Sequence, residues 1–246
     1  MVDRFTARFS GGVDVVNLAE IDIKGGCLGC LRCGPKNQCT YSGRDGYIDM
    51  FNQRVRPADI IVFAGEIRDR YLSSLWKLFF DRSFFNTHQF VLQEKQFGFL
   101  VSGPLSQTAH LREILGVYVE MNRSNPVGFV SDEGADSGLL DGAIDDLAEQ
   151  LVENSVRAYV RPPSFLAVAG MKIFRDDVWE NLRVVFKADH RFYRKTGVYD
   201  FPQRKMFKMM CIRIASAATS IPFVRKRMME NMRDFMLTPY RRVLES

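Results

Sequence analysis

Apolar positions along the first 160 residues switch between two periods. Short apolar runs, dense in β-branched and aromatic residues, alternate with stretches whose apolar residues recur every three to four positions. That alternation is the βα rhythm of a parallel sheet. Val2–Phe9 reads as a helix and Val13–Leu18 as a strand. Asp45–Val55 is helical until Arg56-Pro57 stops it. Asp59-Ile-Ile-Val-Phe-Ala64 is an uninterrupted run of the kind that sits mid-sheet. Leu72–Phe80 follows with Leu72, Leu75, Trp76 and Phe79 on one helical face. Gln96–Ser102 is the next strand, Leu111–Met121 a helix, Val127–Ser131 a strand and Leu139–Tyr159 a long amphipathic helix.

Beyond residue 160 the pattern is helical. Phe174–Tyr193 and Lys205–Met236 have helical spacing, separated by Gly197–Pro202. Met206, Met209, Met210, Met228, Met229, Met232 and Met236 suit an adaptable apolar face. Dressed with Lys and Arg, such a face fits a membrane surface, a protein partner, or the chain's own body.

Charge supports a division at the same place. Residues 1–160 hold 16 Lys+Arg against 21 Asp+Glu, a net of −5. Residues 161–246 hold 18 against 8, a net of +10, and the proline pair Pro162-Pro163 lies at the switch. We therefore expect two parts: residues 1–160 as the cofactor-holding domain, and 161–246 as a basic helical extension that docks or assembles and holds no cofactor. In a rival arrangement Phe192, Tyr193 and Tyr199 fold back over the cofactor as an aromatic lid. No nucleic-acid-binding motif accompanies the basic segment. With 46% hydrophobic and 26% charged residues the composition is that of a globular protein. The N-terminus has no signal-peptide pattern and Met206–Phe223 is interrupted by Lys208, Arg213 and Pro222, so the expected location is cytoplasmic.

Candidate chemistry concentrates in one run, Cys27-Leu-Gly-Cys30-Leu-Arg-Cys33-Gly-Pro-Lys-Asn-Gln-Cys39. Its C-x2-C-x2-C-x5-C spacing is a chelator's spacing and is similar to the run that ferredoxins use for an iron–sulfur cluster. A [4Fe-4S] cluster on Cys27, Cys30, Cys33 and Cys39 leads; zinc and buried structural thiols remain the alternatives. The three histidines, His88, His110 and His190, show no metal-ligand spacing. No Ser-His-Asp or Cys-His nucleophile is readable, so no catalytic side chain is named. Lys77, Asp81 and Arg82 read as braces of a helix and a subunit contact.

Ala58-Asp59-Ile-Ile-Val-Phe, then Ser73-x-x-x-Lys77-x-x-x-Asp81-Arg82, then a Gly103-containing loop after the next strand resemble the flavodoxin-like iron–sulfur flavoproteins and the related NAD(P)H-dependent FMN oxidoreductases. The resemblance spans about residues 5–160. It implies a flavodoxin-like, doubly wound parallel sheet of the α/β class, with the family's first strand and phosphate loop absent from this chain and an α-helical C-terminal extension. It implies FMN held by Ala64, Gly65, Glu66, Ile67, Arg68 and Ser73 on one side and by Ser102, Gly103, Pro104 and Leu105 on the other. These segments lie beyond the carboxyl ends of central strands, where open parallel sheets bind ligands. The family's usual S-P-x-Y stands here as Gly65-Glu66-Ile67-Arg68. The implied activity is electron transfer between flavin, cluster and a partner or NAD(P)H, in a homo-oligomer. The rivals are an FMN-dependent reductase without a cluster and a non-catalytic scaffold.

Overall fold

The computed structural model describes residues 1–134, 136–200, 206–232, 234 and 237. The chain forms two compact units. The first comprises residues 1–27, 41–84 and 89–172, and the second residues 28–40, 85–88 and 173–246.

The first unit is an α/β sheet with helices on both faces. Its strands are β1 (Ile60–Arg68), β2 (Tyr71–Leu72), β3 (Gln96–Ser102) and β4 (Asn125–Ser131), in the order β2-β1-β3-β4. β1, β3 and β4 are parallel, with Phe63 opposite Phe99 and Phe99 opposite Phe129; β2 is a short antiparallel return. Side-chain alternation splits the core. Val62, Ala64, Leu100 and Val130 pack with Phe5 of α1 (Val2–Thr6) and with Ile144, Leu147, Ala148 and Leu151 of α5 (Ser137–Val156). On the opposite face Phe63 lies at 4.9 Å from Trp76, 5.6 Å from Phe79 and 5.4 Å from Phe97, measured between ring centres. Trp76 and Phe79 belong to α3 (Ser74–Ser83), and α4 (Ala109–Met121) brings Tyr118 to the same aromatic group.

Several expectations shift. The run at 13–18 is no strand: its residues are irregular and mostly exposed up to a 3₁₀ turn at Leu18–Glu20. Polar Asp14 instead pairs with Arg54, and among the described residues no strand pairs with the run. The first strand runs past Ala64 to Arg68 because it turns back on itself. Asp69 and Arg70, at φ 48 and 65, form a two-residue turn, and Leu72 is drawn into β2 rather than α3. The Asp45–Val55 helix is α2 (Tyr47–Met50), continued by one π turn, Phe51–Val55.

A buried ion pair joins α3 to the chain on either side of the cysteine run. The side chains of Arg82 and Asp45 are 1% and 0% exposed. Arg82 donates to both Asp45 carboxylate oxygens, at 2.6 and 3.0 Å, and to the Gly25 carbonyl at 3.0 Å. Its guanidinium lies 4.2 Å from the Tyr41 ring centre and 5.1 Å from that of Tyr47. Asp45 also accepts the N–H of Lys24 and of Tyr47. One cation thus holds Gly25 and Tyr41, the two roots of the loop between them.

The segment after α5 is tied down within the first unit. Gln96 donates to the Tyr159 carbonyl at 2.9 Å, and buried Glu120 accepts from Arg161 at 2.8 Å and from the N–H of Ser164 at 3.1 Å. In sequence the two units adjoin between Lys172 and Ile173, inside α6 (Phe165–Glu180). The expected 174–193 helix is two helices: α6 ends at Glu180, a 3₁₀ turn covers Leu182–Val184, and α7 spans Lys187–Lys195. α8 (Met206–Ala218) and α9 (Pro222–Glu230) follow. Phe201, Pro202 and Lys205, and Met236 near the expected helix end, lie outside the described residues.

In the second unit the cysteine loop packs on α7. The Gly34 carbonyl accepts the N–H of Ala188 at 3.0 Å, satisfying a first-turn donor of α7. A Cβ at Gly34 would sit 2.6 Å from the Val185 carbonyl oxygen, so glycine is required there. Arg191 donates to the Pro35 carbonyl at 2.6 Å. Asp189, fully buried, accepts from Thr87 and from His88 Nδ1 at 2.7 Å, and His88 stacks on Phe174 at 4.2 Å.

Removing one partner of a buried ion pair strands the other, so Arg82→Met costs about 3–5 kcal/mol. The expectation is checked by urea unfolding, with Asp45→Asn/Arg82→Met less destabilised than either single change. Burial pushes the Asp45 carboxyl up, but the Arg82 hydrogen bonds and charge and the N–H groups of Lys24 and Tyr47 overcome this and hold it below the usual aspartate range. A depressed folded value stabilises the fold above the ordinary aspartate pKa of about 3.9 and loses that stability as pH falls through the lowered value. Unfolding free energy of the wild type should therefore drop more steeply below pH 4 than that of the double variant.

Candidate functional site

The carboxyl ends of β1, β3 and β4 bring together most of the residues expected to hold a flavin. Gly65 and Glu66 stand opposite Val101 and Ser102 in the parallel ladder. The loop after β3 is braced by the residues after β4. Asp132 accepts the Ser102 hydroxyl and the Gly103 N–H, both at 2.7 Å, and Ser131 donates to the Gly103 carbonyl at 2.8 Å. Glu133 accepts the Ser106 N–H at 2.9 Å. Burial pushes the Asp132 carboxyl up, and its bonds to Ser102 and Gly103 hold it below the usual range, so it stays ionised at neutral pH. Gly103 has φ +107, a conformation open to glycine and strained for other residues. Sequence reasoning missed Asp132 and Glu133; their signal was two acids immediately after a strand.

Each of the two glycines lies against a side chain of the protein itself. Gly65 is small because the Trp76 indole lies on it: a Cβ there would be 2.7 Å from Trp76 Nε1, which donates to the Ala64 carbonyl at 3.2 Å. Gly103 lies against Ile67, whose Cβ would be 3.3 Å from an added Cβ. Both bare backbones are thus covered by the protein's own side chains. Leu105 is 3% exposed and anchors its loop in the core, so it presents no side chain to a ligand. Ser73 is the residue before α3, its carbonyl accepting from Trp76 and Lys77. Exposed Glu66, Arg68 and Pro104, with half-buried Ile67, form the surface presented here. Arg68 gives two hydrogen bonds to Glu66, at 2.9 and 2.7 Å, so its charge is already paired. His110 bonds the Arg70 carbonyl at 2.8 Å and braces the β1–β2 turn.

The cysteines are not gathered. Cys27 and Cys30 are exposed, Cys39 is half-buried and Cys33 is buried. Among the described residues no three His, Cys, Asp or Glu side chains converge as a metal site. The loop's order is set instead by Gly34, Pro35 and Asn37: the Cys33 carbonyl accepts Asn37 N–H at 2.6 Å, and Asn37 donates to the Phe85 carbonyl at 3.2 Å. Four thiols in this spacing have the donor chemistry of a cluster.

No family model matches the chain, and no curated protein does. Among solved structures, the chain is similar to RosB with its bound intermediate 8-demethyl-8-formylriboflavin-5'-phosphate, at 14% identity and a TM-score of 0.46, over 71% of this chain and 79% of that one. It is also similar to the Trp repressor binding protein of Bacillus subtilis, at 17% identity and a TM-score of 0.31, over 56% of this chain and 95% of that one. Likeness at these TM-scores assigns no chemistry to this chain. No described helix is long and apolar enough to cross a membrane.

Asp132 is the residue on which the β3 loop depends. Asp132→Ala should free Ser102 and the Gly103 N–H, costing about 1–3 kcal/mol for the two donors left unpaired. Amide hydrogen exchange at Gly103 should accelerate correspondingly, while exchange in β1 should stay as it is.

Proposed function

We propose that the first unit is a flavin-dependent oxidoreductase module, with FMN bound at the carboxyl ends of β1 and β3. The observation that supports this reading is the braced loop Ser102–Ser106, held by Asp132 and Glu133 where an open parallel sheet takes its ligands. A flavin supplies two-electron exchange with a nicotinamide and one-electron exchange with a partner. The chain's part is to fix the loop before the ligand arrives. Asp132 remains charged and fully engaged, so loop order costs nothing on binding. Glu66, Ile67, Arg68 and Pro104 offer an amphipathic rim against which a ring rests.

Finer elements of the proposal are NAD(P)H or a protein as electron donor, a homo-oligomer, and a [4Fe-4S] cluster on Cys27, Cys30, Cys33 and Cys39. Only the cysteine spacing supports the cluster. A second reading, a non-catalytic α/β partner-binding module, is favoured by one set of contacts: Trp76 covers Gly65, Ile67 covers Gly103, and Arg68 is spent on Glu66.

FMN titration of the full chain, followed by quenching of flavin fluorescence, decides between these readings. Saturable binding that weakens about tenfold, or 1.4 kcal/mol, in Asp132→Ala supports the flavin site. No binding by the wild type leaves the non-catalytic module. Anaerobic iron and acid-labile sulfide analysis tests the cluster, for which about four of each per chain are expected. Rapid alkylation of Cys27 and Cys30 in the same sample, with no sulfide, removes the cluster from the proposal.

A further inference from the structure

The second unit contains a cavity of about 290 Å³ that no part of the flavin reading uses. Trp179 of α6, Arg183 of the following turn, His190 and Arg194 of α7, Tyr199 and Arg213 of α8 line it. Three arginines and a histidine thus converge on one space, with aromatic walls. Among the described residues no carboxylate lines it and none pairs with Arg183, Arg194 or Arg213. The nearby acids are engaged elsewhere: Asp189 accepts from Thr87 and His88, and Asp200 pairs with Arg175 at 2.9 Å.

Two buried polar atoms at this cavity have no hydrogen-bond partner, Arg183 NH1 and His190 Nε2. Such groups normally find partners, because a buried unsatisfied donor costs about 1–3 kcal/mol. His190 is 7% exposed, and its other nitrogen, Nδ1, is 3.0 Å from the Tyr199 hydroxyl. Burial, then the charges of Arg183, Arg194, Arg191 and Arg213, push His190 down to about 4, so it is neutral at physiological pH. Burial pushes Tyr199 up, so its hydroxyl keeps its proton. When Tyr199 donates to Nδ1, the proton of His190 sits on Nε2 as a donor. Burial, and then the charge of Arg213, lower Arg183 itself. Arg183 NH1 and the Nε2–H of His190 are thus two donors lacking an acceptor.

We propose that this cavity binds a small organic dianion, a phosphate ester or a dicarboxylate on a planar ring, through Arg183, Arg194, Arg213 and the Nε2–H of His190. Three cations match a doubly charged oxyanion, and arginine's fork suits both carboxylate and phosphate geometry. Trp179 and Tyr199, packed edge to face at 4.5 Å, give the ring an apolar wall. The volume admits one ring with its charged substituents and lies at the small end of ligand pockets. An anion there satisfies both orphaned atoms and relieves the mutual repulsion of the arginines.

Isothermal titration of the full chain in chloride buffer tests this with phenyl phosphate, phthalate and, as a monoanion, benzoate; Trp179 fluorescence gives an independent signal. Saturable binding of one dianion per chain, at least tenfold tighter than benzoate, is expected. Arg183→Gln and Arg194→Gln should each weaken it at least tenfold. Their melting temperatures without anion should be unchanged or higher, because each removes an uncompensated charge. Should Arg183→Gln fail to fold, Arg194→Gln, whose side chain is exposed, carries the test. Tighter binding of phenyl phosphate assigns a phosphate ester, and tighter binding of phthalate a dicarboxylate. Failure of both dianions to bind saturably, benzoate binding equally well, or binding unchanged in the folded variants overturns the proposal.

Discussion

A guanidinium buried against a carboxylate is the constraint on which the first unit's organisation rests. Arg82 emerges from the last turn of α3, whose other face supplies the aromatic group around Phe63. Because α3 is fixed to the sheet by that packing, Arg82 is fixed too, and with it Asp45, Gly25 and Tyr41. A stretch of chain with little regular structure of its own therefore begins and ends at defined points. Charge pairs of this kind are weak sources of net stability, since desolvation consumes much of the attraction. Their value is in specificity: a misplaced root would leave a full charge in an apolar interior.

Strands β1, β3 and β4 and their helices were legible because β-branched and aromatic runs at 60–64, 97–101 and 127–130 have no other stable home. The failures share a physical cause, in that each depended on a partner distant in sequence. Residues 13–18 have strand-like composition, yet among the described residues they find no neighbour to complete a ladder. The Asp69-Arg70 turn carries no glycine or asparagine signal, so β2 was invisible and Leu72 read as helix. Asn181 ends α6 inside a stretch whose periodicity continues on both sides.

Site residues divide the same way. Position was readable, since strand ends follow from strand assignments, whereas the use of each small residue was not. Gly65 and Gly103 are as compatible with a ligand's approach as with the side chains of Trp76 and Ile67. Arg82 stood in a recognisable motif, but its partner Asp45 lies 37 positions away, on the far side of α2 and β1. The basic cavity was partly foreshadowed: Trp179 and Arg183, and His190 and Arg194, are four apart. Only the fold brings Arg213 to them.

Gly34 carries a consequence for how this chain can vary over time. Its backbone occupies space that any side chain would take from the Val185 carbonyl, and its own carbonyl completes the start of α7. The cysteine loop and the C-terminal helices are therefore a single heritable unit, although residues 41–84 and 89–172 of the sheet unit are threaded between them. Exchange of the segment beyond residue 160 by recombination would leave the loop without its seat. Related chains should gain, lose or remodel the two together, and substitutions at 34–35 should track those at 185–191.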